Sequence, residues 1–168
     1  MSASHPHPEP AWVHRHPHEP NPVAPAGDGA LRVFLPDGAL RTVAVAALQQ
    51  MPAITVAGCF IVSTGHGASG PFAFTGVALH TFLGQVLPAG LIWRHVDVVG
   101  ADGFGARLLS ADLALSPRPP LLAYASDGAA LTRGQGLVRL IVPAETEDAL
   151  LQVKWVSEIR IAPGEAAA

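Results

Sequence analysis

Val138-Arg-Leu-Ile-Val-Pro143 and Val153-Lys-Trp-Val-Ser-Glu-Ile-Arg-Ile161 carry the pattern that sets the fold class. In the first, Val138, Leu140 and Val142 share one face and Arg139 stands opposite. In the second, Val153, Trp155, Ile159 and Ile161 share a face, with Lys154, Glu158 and Arg160 on the other. A period of two is that of a strand buried on one side. If the two strands pair, Arg139 and Lys154 present two cations to one anionic group, the arrangement that phosphate binding needs. The alternative is a pair of exposed strand charges that discourage edge pairing.

Working outward, further strands are predicted at Ile92–Val99 and Leu121–Ala125, with Asp102-Gly103 and Asp127-Gly128 as turns. Leu31-Arg-Val-Phe-Leu35 and Arg41-Thr-Val-Ala-Val45 flank Pro36-Asp37-Gly38, which predicts a β-hairpin followed by a helical turn through Leu48. Ile54–Val62 alternates too. That pattern puts Ile54, Val56, Phe60 and Val62 on one face and Cys59 on the other, away from the apolar stripe. Leu79, Phe82, Leu83, Val86 and Leu87 have the spacing of an amphipathic helix, which Pro88 ends. Ser110 is the expected cap of another short helix. There is no regular βαβ alternation and no internal repeat. The expected class is therefore α+β, with mixed, mostly β sheets and a few short helices.

With 168 residues, one domain is expected. Residues 1–28 hold seven of the sixteen prolines and five of the eight histidines, and read as a disordered tail. The domain is placed at 29–163, and 164–168 is expected to be a disordered C-terminus. A formal charge of −3, without a basic block, argues against nucleic acid. No apolar run is long enough to cross a membrane, and no secretory signal is visible, so a cytoplasmic location is expected. One cysteine, Cys59, rules out an intrachain disulfide and a thiolate-rich zinc site.

Several segments offer chemistry. Gly65-His66-Gly67-Ala68-Ser69-Gly70 matches G-x-G-x-x-G, but Pro71 and the following residues postpone the helix that a dinucleotide site requires. It reads as a flexible glycine loop, or as one whose backbone N–H groups approach a cofactor closely. His5, His7, His14, His16 and His18 offer imidazoles for a divalent metal, although the intervening prolines resist a closed geometry. Lys154 is the only lysine, against nine arginines.

Thr55-Val56 running into Cys59, Phe74-Thr-Gly-Val-Ala-Leu79, Ala101-Asp-Gly-Phe104, Leu121-Leu-Ala-Tyr124, Val138-Arg-Leu-Ile-Val-Pro143 and Val153-Lys-Trp-Val156 together resemble the molybdopterin-binding domain of the sulfite oxidase family. Their order and spacing match over about residues 30–162. The resemblance implies that family's fold and a molybdopterin cofactor carrying molybdenum. It implies Cys59 as the metal ligand, which suits a soft thiolate, and Arg139 and Lys154 as contacts to the pterin and its phosphate. From their place in the glycine loop, Ser63, Thr64, Gly65 and Gly67 would line the cofactor entrance, with His66 as a proton donor beside the metal.

The expected function is two-electron oxygen-atom transfer on an unknown small molecule. The alternative is a non-catalytic relative that binds a small molecule or a partner. Two departures from the family pattern bear on the substrate. Gly134-Gln135-Gly136 stands where a histidine is usual, and the acidic Glu145-Thr-Glu-Asp148 replaces basic residues, which disfavours an anionic substrate such as sulfite. Neither the family's haem domain nor its dimerisation domain lies within these residues. Electrons are thus expected to leave to a separate transfer partner.

Overall fold

The computed structural model of the protein describes residues 23–63, 67–144 and 151–165. Its elements in chain order are β1 (Leu31–Phe34), β2 (Leu40–Val43), α1 (Val45–Leu48), β3 (Ile54–Ser63), β4 (Gly67–Ala78), α2 (Leu79–Val86), β5 (Trp93–Gly100), β6 (Gly105–Leu109), α3 (Ser110–Leu115), β7 (Leu121–Ser126), β8 (Ala129–Ala130), β9 (Arg139–Ile141) and β10 (Val156–Pro163). They form two sheets, one ordered β2-β1-β10-β5-β6 and the other β3-β4-β7-β8, with β9 also on β7. β1 and β10 run parallel while the remaining pairs are antiparallel, so the first sheet is mixed, as expected.

The main core lies between the sheets. Leu31, Val33, Val96, Val98 and Ile159 of the first sheet meet Val77, Leu122 and Leu140 of the second, and Leu79, Phe82, Leu83 and Val86 of α2 close one side. The predicted face of that helix is the buried one. The predicted hairpin also forms: Gly38 takes φ +85, and Asp37 Oδ1 accepts the Ala39 N–H at 2.9 Å. Ser110, expected as a cap, is instead the first residue of α3, whose cap position is Leu109.

Three expectations about strands need correction. The first concerns Cys59. β3 pairs with β4 through register shifts on both sides of Cys59, and Gly58 takes φ +66. Such a bulge adds one unpaired residue and reverses the alternation beyond it. Cys59 therefore joins Ile54, Val56 and Ile61 in a second apolar cluster, while Phe60 is turned outward.

The second concerns the glycine loop. β4 begins at Gly67 and pairs with β3, across the shifts at Cys59, down to Ser63↔Gly67, so most of the segment is strand. The third concerns the last strand. It begins at Val156, because Trp155 takes φ +52 and interrupts the extended chain.

At the contact between β4 and β7 the backbones approach so closely that a Cβ on Gly76 would lie 2.1 Å from the Leu122 carbonyl oxygen and 2.6 Å from the Ala123 Cα. Both obstacles are backbone and cannot swing aside. Gly76→Ala is expected to destabilise the fold by about 3 kcal/mol or more, read as a lower urea midpoint. A midpoint within error of the parent's would mean that the two strands part easily.

Candidate functional site

Arg139 begins β9 and Lys154 lies just before β10. The two come together because Leu140 and Val153 form an antiparallel bridge, with N···O distances of 2.8 and 3.2 Å. Their side chains converge over Gly136. A Cβ there would meet Arg139 Cγ and Lys154 Cγ, each at 3.0 Å. Gly136 takes φ +118, a conformation that suits glycine. Two of the non-glycine residues with positive φ, Leu137 and Trp155, flank the same spot. Backbone strain of this kind persists only where the surroundings impose it, and it gathers at functional sites. Here Trp155 is held by its indole N–H, which donates to the Arg133 carbonyl at 2.7 Å. Its ring carries Lys154 Nζ at 4.2 Å from the centroid.

Burial acts on both cations. It pulls Arg139 from its ordinary value to about 10. It also lowers Lys154, with the neighbouring Arg139 charge adding to the effect and Asp102 opposing it. The Arg139 Nη1 donates to the Gln135 carbonyl at 3.2 Å, while its Nε is buried without a hydrogen-bond partner. Two desolvated cations side by side are unfavourable on their own, and an anion between them relieves both the desolvation and the repulsion.

Arg139 also rims a cleft of about 280 Å³. Ile61, Phe72, Phe74 and Leu131 line it, and Ser69, Ser126 and Gln135 add polar groups. Those four apolar side chains belong to the cluster that encloses Cys59, which is 1% exposed. Arg139 thus rims a cleft behind whose apolar lining the thiol lies. The Cys59 Sγ donates to the Val56 carbonyl at 3.4 Å, and Arg118 Nη2 stands 3.8 Å from the sulfur while also bonding the Ala57 carbonyl. Burial pushes the thiol up, and the Arg118 charge pulls against it.

Not every expected residue gathers here. Ser63 and Gly67 pair at the far end of the β3–β4 hairpin. They lie four residues beyond Cys59 along β3, or about 13 Å at strand rise. Thr64, Gly65 and His66 lie outside the described residues, as do the five tail histidines and Glu145–Asp148. Sequence reasoning missed Arg118 and the polar rim of the cleft. Nothing in the local pattern marks Arg118, since the Pro-Arg-Pro turn carrying it looks like an ordinary connection.

The family model for the oxidoreductase molybdopterin-binding domain matches residues 31–168. The chain belongs to that family. Its resemblance to the sulfite oxidase type thus holds over almost the whole described domain, and with it the molybdopterin cofactor that the family is named for. Among solved structures, the domain is similar to the sulfane dehydrogenase SoxCD from Paracoccus pantotrophus, with a TM-score of 0.65 and 18% identity. That match covers 83% of this chain and 40% of the other, so the chain spans less than half of that relative. At this identity the likeness establishes the fold. A search of curated proteins gives no significant match. Among the described residues no helix is long and apolar enough to cross a membrane.

The donor set of this molybdopterin-binding domain fits the cofactor. Two converging cations suit a phosphate, one of them with an orphaned buried N–H, and a soft sulfur lies behind the apolar lining of the cleft that Arg139 rims. A pH dependence follows. A phosphate ester stays dianionic above about pH 6, so the protein's own titration governs binding on the alkaline side. Lys154 loses its proton at lower pH than a free lysine does. Affinity for a pterin phosphate is expected to fall as the pH rises toward 10, earlier than an ordinary lysine would allow. Calorimetric titration across that range checks it, and a flat profile would remove Lys154 from the contact.

Proposed function

We propose that this domain is a molybdenum-dependent oxidoreductase that performs two-electron oxygen-atom transfer on a small molecule. Arg139 and Lys154 would hold the pterin phosphate, and Cys59 would ligate the metal. The bound cofactor supplies the redox chemistry; the protein sets its orientation, access and charge. The observation that carries this reading is the convergence of Arg139 and Lys154 over Gly136, with Arg139 also rimming a cleft whose apolar lining packs with Cys59. A structural pair of cations has no need of that convergence, whereas a dianion does.

Ser63, Thr64, Gly65 and Gly67 are proposed to border the entrance, with His66 as the proton donor. The pairing at the hairpin tip keeps Ser63 and Gly67 at a distance from the sulfur, so their contribution is to access rather than to ligation. SoxCD is a dehydrogenase, and this fold similarity supports the proposal that electrons leave this domain to a separate redox partner. The domain itself is proposed to occupy residues 29–163, with 1–28 as a tail; its location is proposed to be the cytoplasm.

The test is elemental analysis for molybdenum and tungsten, with pterin fluorescence after oxidative release, on the full chain made in a host that synthesises the cofactor. Near-stoichiometric metal with pterin is the expected result. Well-folded protein containing neither would overturn the redox reading and leave a binding module.

A further inference from the structure

Among the described residues two buried side-chain polar atoms have no hydrogen-bond partner, Arg139 Nε and Gln152 Oε1. Buried polar groups are otherwise almost always paired, and an orphan at a functional cleft points to a missing ligand. One of these atoms is a donor and the other an acceptor.

Gln152 is 6% exposed, and its orientation is fixed. Nε2 donates to the Phe60 carbonyl at 3.4 Å. Turning the amide over would set two oxygens against each other, so Oε1 is held away from Phe60. The contact also links the chain beyond β9 to β3, at opposite edges of the second sheet. The Leu140–Val153 bridge sets Arg139 opposite Lys154 and Ile141 opposite Gln152. Opposed residues of an antiparallel pair share a face. On this face Ile141 packs in the cluster of Cys59. The acceptor, the two cations and the thiol therefore stand on one side of the sheet.

We propose that Gln152 is a specificity residue of this site, whose Oε1 accepts a hydrogen bond from a ring N–H of the bound group while Arg139 Nε serves an acceptor on it. This rests on the molybdopterin reading above and extends it from the phosphate to the ring. Inorganic phosphate can satisfy the cations, but its dianion has no N–H for Gln152. A pterin has ring and amino N–H donors beside a ring carbonyl, and it complements both orphaned atoms. In the run Leu150-Leu151-Gln152-Val153 the N–H end of the amide serves the Phe60 carbonyl, and its oxygen alone is left without a partner.

The test compares two probes on the full-length protein by titration calorimetry: 6-hydroxymethylpterin monophosphate and inorganic phosphate. Gln152→Leu is expected to weaken the pterin phosphate about tenfold, the usual loss when a buried hydrogen bond goes unmade, and to leave inorganic phosphate unchanged. Where the leucine variant does not fold, Gln152→Asn, which withdraws the oxygen by one carbon, should lower the affinity for the pterin phosphate relative to that for inorganic phosphate. Equal loss for both probes, or no loss for either, would overturn the role of Gln152 while leaving the phosphate cradle standing. If the parent protein binds the pterin phosphate no tighter than phosphate itself, the pterin reading fails and the role of Gln152 fails with it.

Discussion

Replacing Arg139 and Lys154 together by methionine is expected to reduce affinity for a pterin phosphate about 100-fold or more, while the free protein becomes slightly more stable. The two effects have one cause. Each cation gives the anion a charge-assisted hydrogen bond, worth about 1.5–3 kcal/mol when its partner is present. In the free protein both groups are partly desolvated, which lowers both pKa values, and the Arg139 charge lowers that of Lys154 further. Methionine has a similar length and no charge, and exchanging buried charge for apolar volume is often stabilising. A gain of about 1 kcal/mol, or roughly 2–4 °C in Tm, is expected. Calorimetric titration and thermal melting read the two quantities on one sample. If Tm falls and binding is unchanged, the pair is structural, with Lys154 serving mainly through its stack on Trp155.

The same opposition explains why this part of the site was legible in the sequence. Arg139 opens β9 and Lys154 follows the bridge residue Val153, and with apolar neighbours beside each, a period of two placed both opposite the buried stripe. The bridge between Leu140 and Val153 then brought them together. The hairpin at Asp37-Gly38 and the buried face of α2 were equally readable, since turn chemistry and helical spacing are local.

What the sequence concealed depends on single backbone angles. Gly58 at φ +66 inserts a bulge, and Trp155 at φ +52 breaks a strand. A period count runs straight through both. The first error turned Cys59 to the wrong face, and the second extended β10 backward by three residues. The glycines at 67 and 70 hid a strand for a different reason. Their composition is that of a loop, but β3 supplies partners along the whole hairpin and outweighs local propensity. Gln152 left one faint mark, a lone amide in an apolar run, and its meaning depends on a contact 92 residues away in sequence.

The inward position of Cys59 ties its replacement to the cleft. Were the thiol on the face opposite the apolar stripe, its replacement would touch neither the cluster nor the cleft. Because the bulge turns it inward beside Phe74 and Ile61, the sulfur lies just behind residues that line the cleft. Cys59→Ser is expected to reduce molybdenum in protein from a cofactor-producing host to less than about a tenth of the parent content, since a hydroxyl is a poor substitute for a soft thiolate. Pterin phosphate binding, which depends on Arg139 and Lys154, should change by less than about threefold. The fold should survive, because the serine hydroxyl can donate to the Val56 carbonyl that now accepts from the thiol, and the expected cost is about 1 kcal/mol. Cys59→Ala provides the same metal readout without a new polar group. Full metal content in both variants would leave the sulfur a packing atom and move ligation elsewhere. Loss of metal together with equal loss of pterin phosphate would mean that the bulge, rather than the thiolate, organises the site.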